Sequence, residues 1–98
     1  MSEIDPNTVV VADDSALSVS MDDEVVLYNG NAGTYQGLTG TGPVIWQSIQ
    51  EPTSVRSLQR SIADRYDVDT DRSDREILEF LQHLADEGLI ERVDAETR

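Results

Sequence analysis

Residues 32–50 read AGTYQGLTGTGPVIWQSIQ and combine a strand pattern, a glycine-rich turn and the start of a helix. Thr, Tyr and Leu within residues 34–38 favour a strand. Two glycines then permit backbone angles that other residues resist, and Pro43 suits the first turn of a helix. Apolar side chains follow at helical spacing, at Ile45, Trp46 and Ile49. This strand-to-helix corner is predicted to organise the core, with the single Trp as its largest contributor.

Two further strands are predicted ahead of this corner. Residues 17–21 alternate apolar side chains with serine, and residues 24–28, EVVLY, form a second apolar run. Asp22–Asp23 predicts a turn between them, and Asn29–Gly30–Asn31 predicts a hairpin turn before the third strand. Short connections of this kind favour an antiparallel meander in which the third strand lies at the sheet edge.

From residue 42 onward the apolar period becomes helical, and three helices are predicted. The first covers residues 43–50, and the second is capped by Thr53 or Ser54. The cap of the third is Asp69, Asp71 or Ser73, of which Ser73 would form a capping box with Glu76. The apolar stripe of the third helix consists of Ile77, Phe80, Leu81 and Leu84. Gly88 is expected to end the helix in the left-handed conformation.

A meander of three strands followed by three short helices predicts an α+β, winged-helix-like fold. A chain of 98 residues suggests one domain, expected over residues 15–93. Residues 1–14 are expected to be a flexible lead-in and residues 94–98 a loose tail. Within the lead-in, the apolar run at residues 9–11 either adds a strand or lies across the core.

Composition narrows the classes of function. The net charge is −13, Lys is absent, and no basic residue precedes Arg56. Because the electrostatic field of so acidic a chain repels a phosphate backbone, nucleic acid is not an expected partner. The chain has no Cys, no apolar run of membrane-spanning length and no targeting pattern at its start. A soluble cytoplasmic protein without a membrane partner is therefore expected.

No catalytic or metal-binding pattern stands out. His83 is the only His, and without Cys or a second His it does not suggest a metal site. The glycines of residues 37–42 lack the Lys and the spacing of a phosphate-binding loop. Residues 67–71 alternate Asp with other residues but lack the Gly of a calcium loop. The sequence therefore predicts neither an enzyme nor a cofactor.

Peptide binding is the function that the residues leave open. The third strand, Thr34, Tyr35, Gln36, Gly37 and Leu38, would present unpaired backbone groups to which an extended peptide can add. On helix three, Leu78 and Ala85 form an apolar pair outside the centre of the stripe, bordered by Arg75 and Gln82. These four residues would be a second wall, unless Leu78 simply widens the core face of the helix.

Four segments in order resemble the PqqD-like proteins, which recognise the leaders of ribosomally made, post-translationally modified peptides. They are GTYQGLTGTGPVIW (residues 33–46), EPTSVRSL (51–58), ADRYDVD (63–69) and ILEFLQHLADEGLI (77–90). Together with the earlier strands the resemblance covers about residues 15–93. Within this family, the four motifs resemble the stand-alone proteins of lasso-peptide biosynthesis more than the other members. In one departure from the family pattern, Gln36 stands where a second aromatic residue is common.

The resemblance implies a three-stranded antiparallel sheet packed on a three-helix bundle. It implies further that a precursor's leader peptide adds as a strand to residues 34–38 and rests against the third helix, with Arg75, Leu78 and Gln82 as wall candidates. It also implies a protein that does no chemistry itself and presents the leader to a separate enzyme. In lasso-type systems the partners are a leader-cleaving protease and a cyclase resembling asparagine synthetase. In the quinone-cofactor branch the partner is a radical enzyme with an iron–sulfur cluster.

The sequence leaves two other hypotheses open. A winged-helix DNA-binding transcriptional regulator needs a basic recognition helix, whereas helix three is rich in acids. A structural subunit of a larger enzyme would keep its edge strand permanently docked.

Overall fold

The computed structural model describes residues 4–22 and 24–93 and has an α+β fold. In chain order, its elements are β1 (Val9–Ala12), β2 (Ala16–Met21), β3 (Glu24–Asn29), β4 (Thr34–Leu38), α1 (Gly42–Ser48), β5 (Thr53–Ser54), α2 (Val55–Arg65), α3 (Thr70–Asp86) and β6 (Ile90–Val93). The predicted three strands and three helices are all present, and the short strands β1, β5 and β6 form a second sheet. The predicted tail, residues 94–98, and residues 1–3 lie outside the described residues.

The first sheet is the predicted meander. Its strand order is β2–β3–β4 with antiparallel pairing throughout, so β4 lies at an edge as expected. Tyr28 of β3 stands opposite Leu17 of β2 and Tyr35 of β4, which fixes the register. Because successive side chains alternate between faces, Val25 and Leu27 fall on the other side of the sheet, where they are buried in the core.

The second sheet joins the two ends of the described chain. The β-branched residues of β1 pair with β5 on one side and with β6 on the other. Of the two alternatives for residues 9–11, the strand is therefore the correct one. Val10 is fully buried, Ile4 is also buried, and Asp5 and Thr8 form a turn between them. The packed part of the chain thus starts well before residue 15, where the boundary of a flexible lead-in was predicted.

The helix caps select among the predicted alternatives. The Ser54 hydroxyl accepts a hydrogen bond from the Ser57 N–H at 3.1 Å and caps α2. The Asp69 carboxylate accepts from the Arg72 N–H at 3.2 Å, so α3 begins at residue 70. The capping box proposed for Ser73 and Glu76 is wrong, since Ser73 already lies inside the helix. Gly88, with φ of 76°, adopts the left-handed conformation after the helix, as predicted.

The core lies between the two sheets and the three helices. Trp46 is only 3% exposed and packs with apolar residues from every helix, among them Ile49, Leu58, Ile62, Leu81 and Leu84. Phe80, predicted to belong to the buried stripe of α3, is only partly buried and packs against the edge of this cluster. Within residues 4–22 and 24–93, none of the helices is long and apolar enough to cross a bilayer.

Candidate functional site

A groove runs between the edge strand β4 and helix α3. Its larger part has a volume of about 500 Å³. The strand side is formed by Gln36, Gly37 and Leu38, followed by the turn that leads into α1. The helix side and floor consist of Asp69, Arg72, Ser73, Glu76, Ile77 and Phe80, together with Ile45 of α1. The groove is therefore open along a strand edge and apolar at its base.

A smaller recess of about 240 Å³ continues the groove along the same strand. Thr34, Tyr35 and Gln36 line it from β4, and Glu87 and Leu89 line it from the end of α3. Gln36 borders both cavities, so the two form one surface. Helix α3 consequently runs beside β4, with its first turns near Leu38 and its last near Thr34. We call this surface the β4–α3 groove.

One face of α3 supplies the helical wall. Ser73, Glu76, Phe80 and Glu87 are separated by three, four and seven residues, which places them on a single stripe of a helix. Phe80 is the only Phe of the chain and lies at the middle of this stripe. The sequence predicted Phe80 as a core residue, so its position at the groove was not predicted. The spacing of its polar neighbours at 73, 76 and 87 is the sequence signal that could have revealed this face.

The wall residues predicted from the sequence lie elsewhere on α3. Arg75, Leu78, Gln82 and Ala85 line neither part of the groove. The Gln82 side chain accepts a hydrogen bond from the Ile4 N–H at 3.2 Å and donates one to Asp86 at 3.1 Å. Leu78 and Ala85 are half-buried and pack against the core. Leu78 thus widens the core face of the helix, which was the alternative considered.

The first described residues of the chain explain why these side chains do not line the groove. Ile4 belongs to the same buried cluster against which Leu78 and Ala85 pack, so the N-terminal segment occupies that side of α3. Arg75 is exposed on the helix and does not face β4. The edge residues, in contrast, lie where the sequence predicted them. Thr34, Tyr35, Gln36, Gly37 and Leu38 all line the β4–α3 groove.

Charges at the mouth of the groove are exposed and rearrange easily. The Arg72 Nε atom lies 3.1 Å from a carboxylate oxygen of Glu76, and the two side chains are 72% and 61% exposed. An exposed pair of this kind contributes about 0–1 kcal/mol to stability. Among the described residues that line the groove, Arg72 is the only basic one, and Asp69 and Glu87 add further acids. A ligand could therefore take over the Arg72 guanidinium at little cost.

The outer side of β4 is open as well. Tyr35 is 74% exposed, and its ring packs on that of Tyr28 with centroids 4.9 Å apart. Apart from Gly37 and its two chain neighbours, no atom of the described residues lies within 4 Å of the position that a Cβ would take at Gly37. Neither Tyr35 nor Gly37 therefore obstructs the approach of another strand to the edge. The site offers unpaired backbone groups along five residues, with a recess under one face of any added strand.

Comparison with known proteins identifies the family of this chain. The family model "Coenzyme PQQ synthesis protein D (PqqD)" matches residues 24–90. A solved structure, TbiB1 in complex with the TbiA(beta) leader peptide, is similar with a TM-score of 0.76 and 34% sequence identity. The match covers 83% of this chain and 94% of TbiB1. A comparison with curated protein sequences gives no match. Since the family model covers well over half of its residues, this chain belongs to the PqqD family.

Proposed function

We propose that the β4–α3 groove binds the leader of a ribosomally made precursor peptide, which adds to β4 as a further strand of the sheet. The observation that carries this proposal is an unpaired strand edge with a recess running along its whole length. The similarity to TbiB1, whose structure contains the TbiA(beta) leader peptide, supports it. Main-chain hydrogen bonds would supply affinity, and the recesses would select side chains.

The two recesses suggest how a leader is selected. Side chains that point to one face of a strand recur every two residues, or about 7 Å. The larger recess, with Phe80 and Ile77 at its base, fits an apolar or aromatic anchor. The smaller recess, bordered by Glu87 and Gln36, fits a polar or basic side chain two to four positions away. One or two such anchors would dominate the affinity.

In this proposal the protein is not itself an enzyme and holds the leader while a separate enzyme modifies the remainder of the precursor. The PqqD family and the similarity to TbiB1 support a role in peptide biosynthesis, of the lasso type in particular. A leader protease with an asparagine-synthetase-like cyclase, or alternatively a radical enzyme, remains the predicted partner. A cytoplasmic location remains a prediction from the sequence.

The DNA-binding alternative gains no support from the groove. The exposed residues of α3 include Asp71, Glu76, Glu79 and Asp86, against Arg72 and Arg75. A helix with this charge balance would be repelled by phosphates.

Hydrogen exchange tests strand addition directly. The probe is the leader encoded by the short open reading frame nearest to the gene, with a scrambled version as control. We expect amides of β4 to become protected when the leader binds, because outward-facing N–H groups gain acceptors. The scrambled peptide should leave them unprotected. Tight binding of the leader with β4 amides unchanged would contradict strand addition.

A further inference from the structure

The sheet has a second unpaired edge, formed by β2. The strand order β2–β3–β4 leaves β2 paired on one side only among the described residues. With six residues, β2 is as long as the central strand β3. An open edge of this length presents backbone donors and acceptors to any extended chain, and proteins usually shorten, charge or cover such edges.

This edge is not protected in the usual ways. Leu17, Val19 and Met21 point to the outer face of the sheet and are 61%, 60% and 54% exposed. They continue across the sheet into Val26 and Tyr28, which are half-buried. A row of large apolar side chains at a free edge, in a chain of net charge −13, indicates a surface that a partner covers.

The inner side of the same strand faces a polar cleft. A cavity of about 560 Å³ lies between β2 and α1. Ser18 and Ser20 line it from β2, Asp22 lines it from the turn that follows, and Glu24 lines it from the first position of β3. The opposite wall and floor are formed by Val44, Trp46, Gln47, Gln50 and Tyr66. Trp46 is buried, and its indole N–H has no hydrogen-bond acceptor among the described residues.

The charges of the cleft define the chemistry of its occupant. Asp22 and Glu24 are exposed acids, and none of the lining residues is basic. No basic residue occurs in the chain before Arg56. A second copy of this protein would bring the same two acids to the edge, so pairing of two β2 strands is electrostatically unfavourable. A segment with basic side chains complements the cleft.

We propose that β2 is a second docking edge, which binds an extended segment of a different protein in which basic and apolar residues alternate. The basic side chains lie over the cleft near Asp22 and Glu24, and the apolar ones extend the row of Leu17, Val19 and Met21. This interface is separate from the β4–α3 groove, and it stands whether or not that groove binds a leader. One sheet would then bind a chain at each of its two edges.

The test uses a synthetic probe on the complete chain. A blocked peptide as long as β2, with alternating Lys and Val, is titrated into the isotopically labelled protein and followed by NMR. A peptide with Glu in place of Lys is the control. We expect shifts over residues 16–21 and at the cleft residues, weaker at high salt, and none with the Glu peptide. Shifts confined to β4, or equal binding of both peptides, would overturn the proposal.

Two matched double variants distinguish the effect of the acids in the cleft from the effect of the net charge on peptide affinity. Asp22→Asn with Glu24→Gln removes the acids of the cleft, and Asn tolerates the positive φ of position 22. We expect the affinity for the Lys peptide to fall about tenfold. Asp71→Asn with Glu79→Gln removes two exposed acids of α3 and should leave the affinity unchanged. Equal losses in both variants, or concentration-dependent β2 shifts in the absence of peptide, would refute the proposal.

Discussion

The two three-stranded sheets of this small domain divide the tasks of stability and binding. In β5–β1–β6, the central strand buries Val10 completely and ties both ends of the described chain together. In β2–β3–β4, one face covers the core while the other face and both edges stay open. The β5–β1–β6 sheet can therefore change without altering the groove, and the β2–β3–β4 sheet can be altered at its edges without exposing the core.

The largest effect on binding is expected at Phe80, the aromatic side chain between α3 and β4. Phe80→Ala should weaken leader binding by about 2 kcal/mol, or roughly thirtyfold in Kd, because it empties the base of the larger recess. Fluorescence anisotropy with a labelled leader measures this change.

Leu78→Ala is the control on the other side of the same helix. Since Leu78 packs against the core, its truncation should lower the free energy of unfolding by about 1–2 kcal/mol and leave Kd unchanged. If Leu78→Ala weakened binding more than Phe80→Ala while both variants remained folded, the leader would bind the Leu78 face of α3 and not the Phe80 face.

The reciprocal change is Val10→Ala in β1. Loss of two buried carbons should lower the free energy of unfolding by about 2 kcal/mol, which corresponds to a Tm lower by about 10 °C. Leader affinity measured well below the new Tm should match that of the wild type. A parallel loss of affinity would show that the two sheets are coupled.

A smaller effect is expected from the charge at the groove mouth. Arg72→Gln should weaken leader binding about threefold, because the only basic donor in the groove lining is lost. Arg75→Gln, one turn away on the exposed side, should have no effect on Kd. Titration calorimetry on both variants distinguishes the two faces, and equal Kd values for them would remove Arg72 from the binding site.

The smallest effect is expected beside the β5–β1–β6 sheet, where Asp13, the residue after β1, interacts with Glu91 of β6. Hydrogen bonds from the Ser15 hydroxyl and N–H lower the pKa of Asp13 below its usual value. The hydrogen bond to Asp13 and the charge of its carboxylate raise the pKa of Glu91 above its usual 4.5. The contribution of Asp13 to stability is therefore lost as the pH falls, and that of Glu91 is lost as the pH rises through its raised pKa.

Glu91→Gln should consequently increase stability near neutral pH, because the amide keeps a donor for Asp13 without a second charge. The gain should disappear in acid, below the usual pKa of 4.5, where Glu91 is protonated. Thermal unfolding of both proteins across this pH range measures the difference. A gain that persisted in acid would contradict the assigned cause.

The two sheets also differ in how well the sequence predicted them. The strands of the β2–β3–β4 sheet were predictable because alternation and turn residues are local signals. Strand β1 was ambiguous, since its pairing partners Thr53 and Arg92 lie far along the chain. A run of three valines carries no period that distinguishes a strand from a packed extended segment.

The position of the groove on α3 was not predictable for the same reason. The helix and, apart from Phe80, its apolar stripe were predicted correctly, but a helix has two flanks beside its core face. Which flank stays free depends on where the N-terminal segment packs, and the Ile4 contact with Gln82 decides this. The edge at β4 needed no such information, because a last strand of a meander lies at an edge by topology alone.

The most direct test of the account is an NMR titration of the labelled protein with the leader from the neighbouring open reading frame. We predict shifts over residues 34–38 and at Ser73, Glu76 and Phe80, because the leader lies between β4 and this face of α3. Shifts concentrated at Leu78, Gln82 and Ala85, with residues 34–38 unchanged, would contradict the central claim.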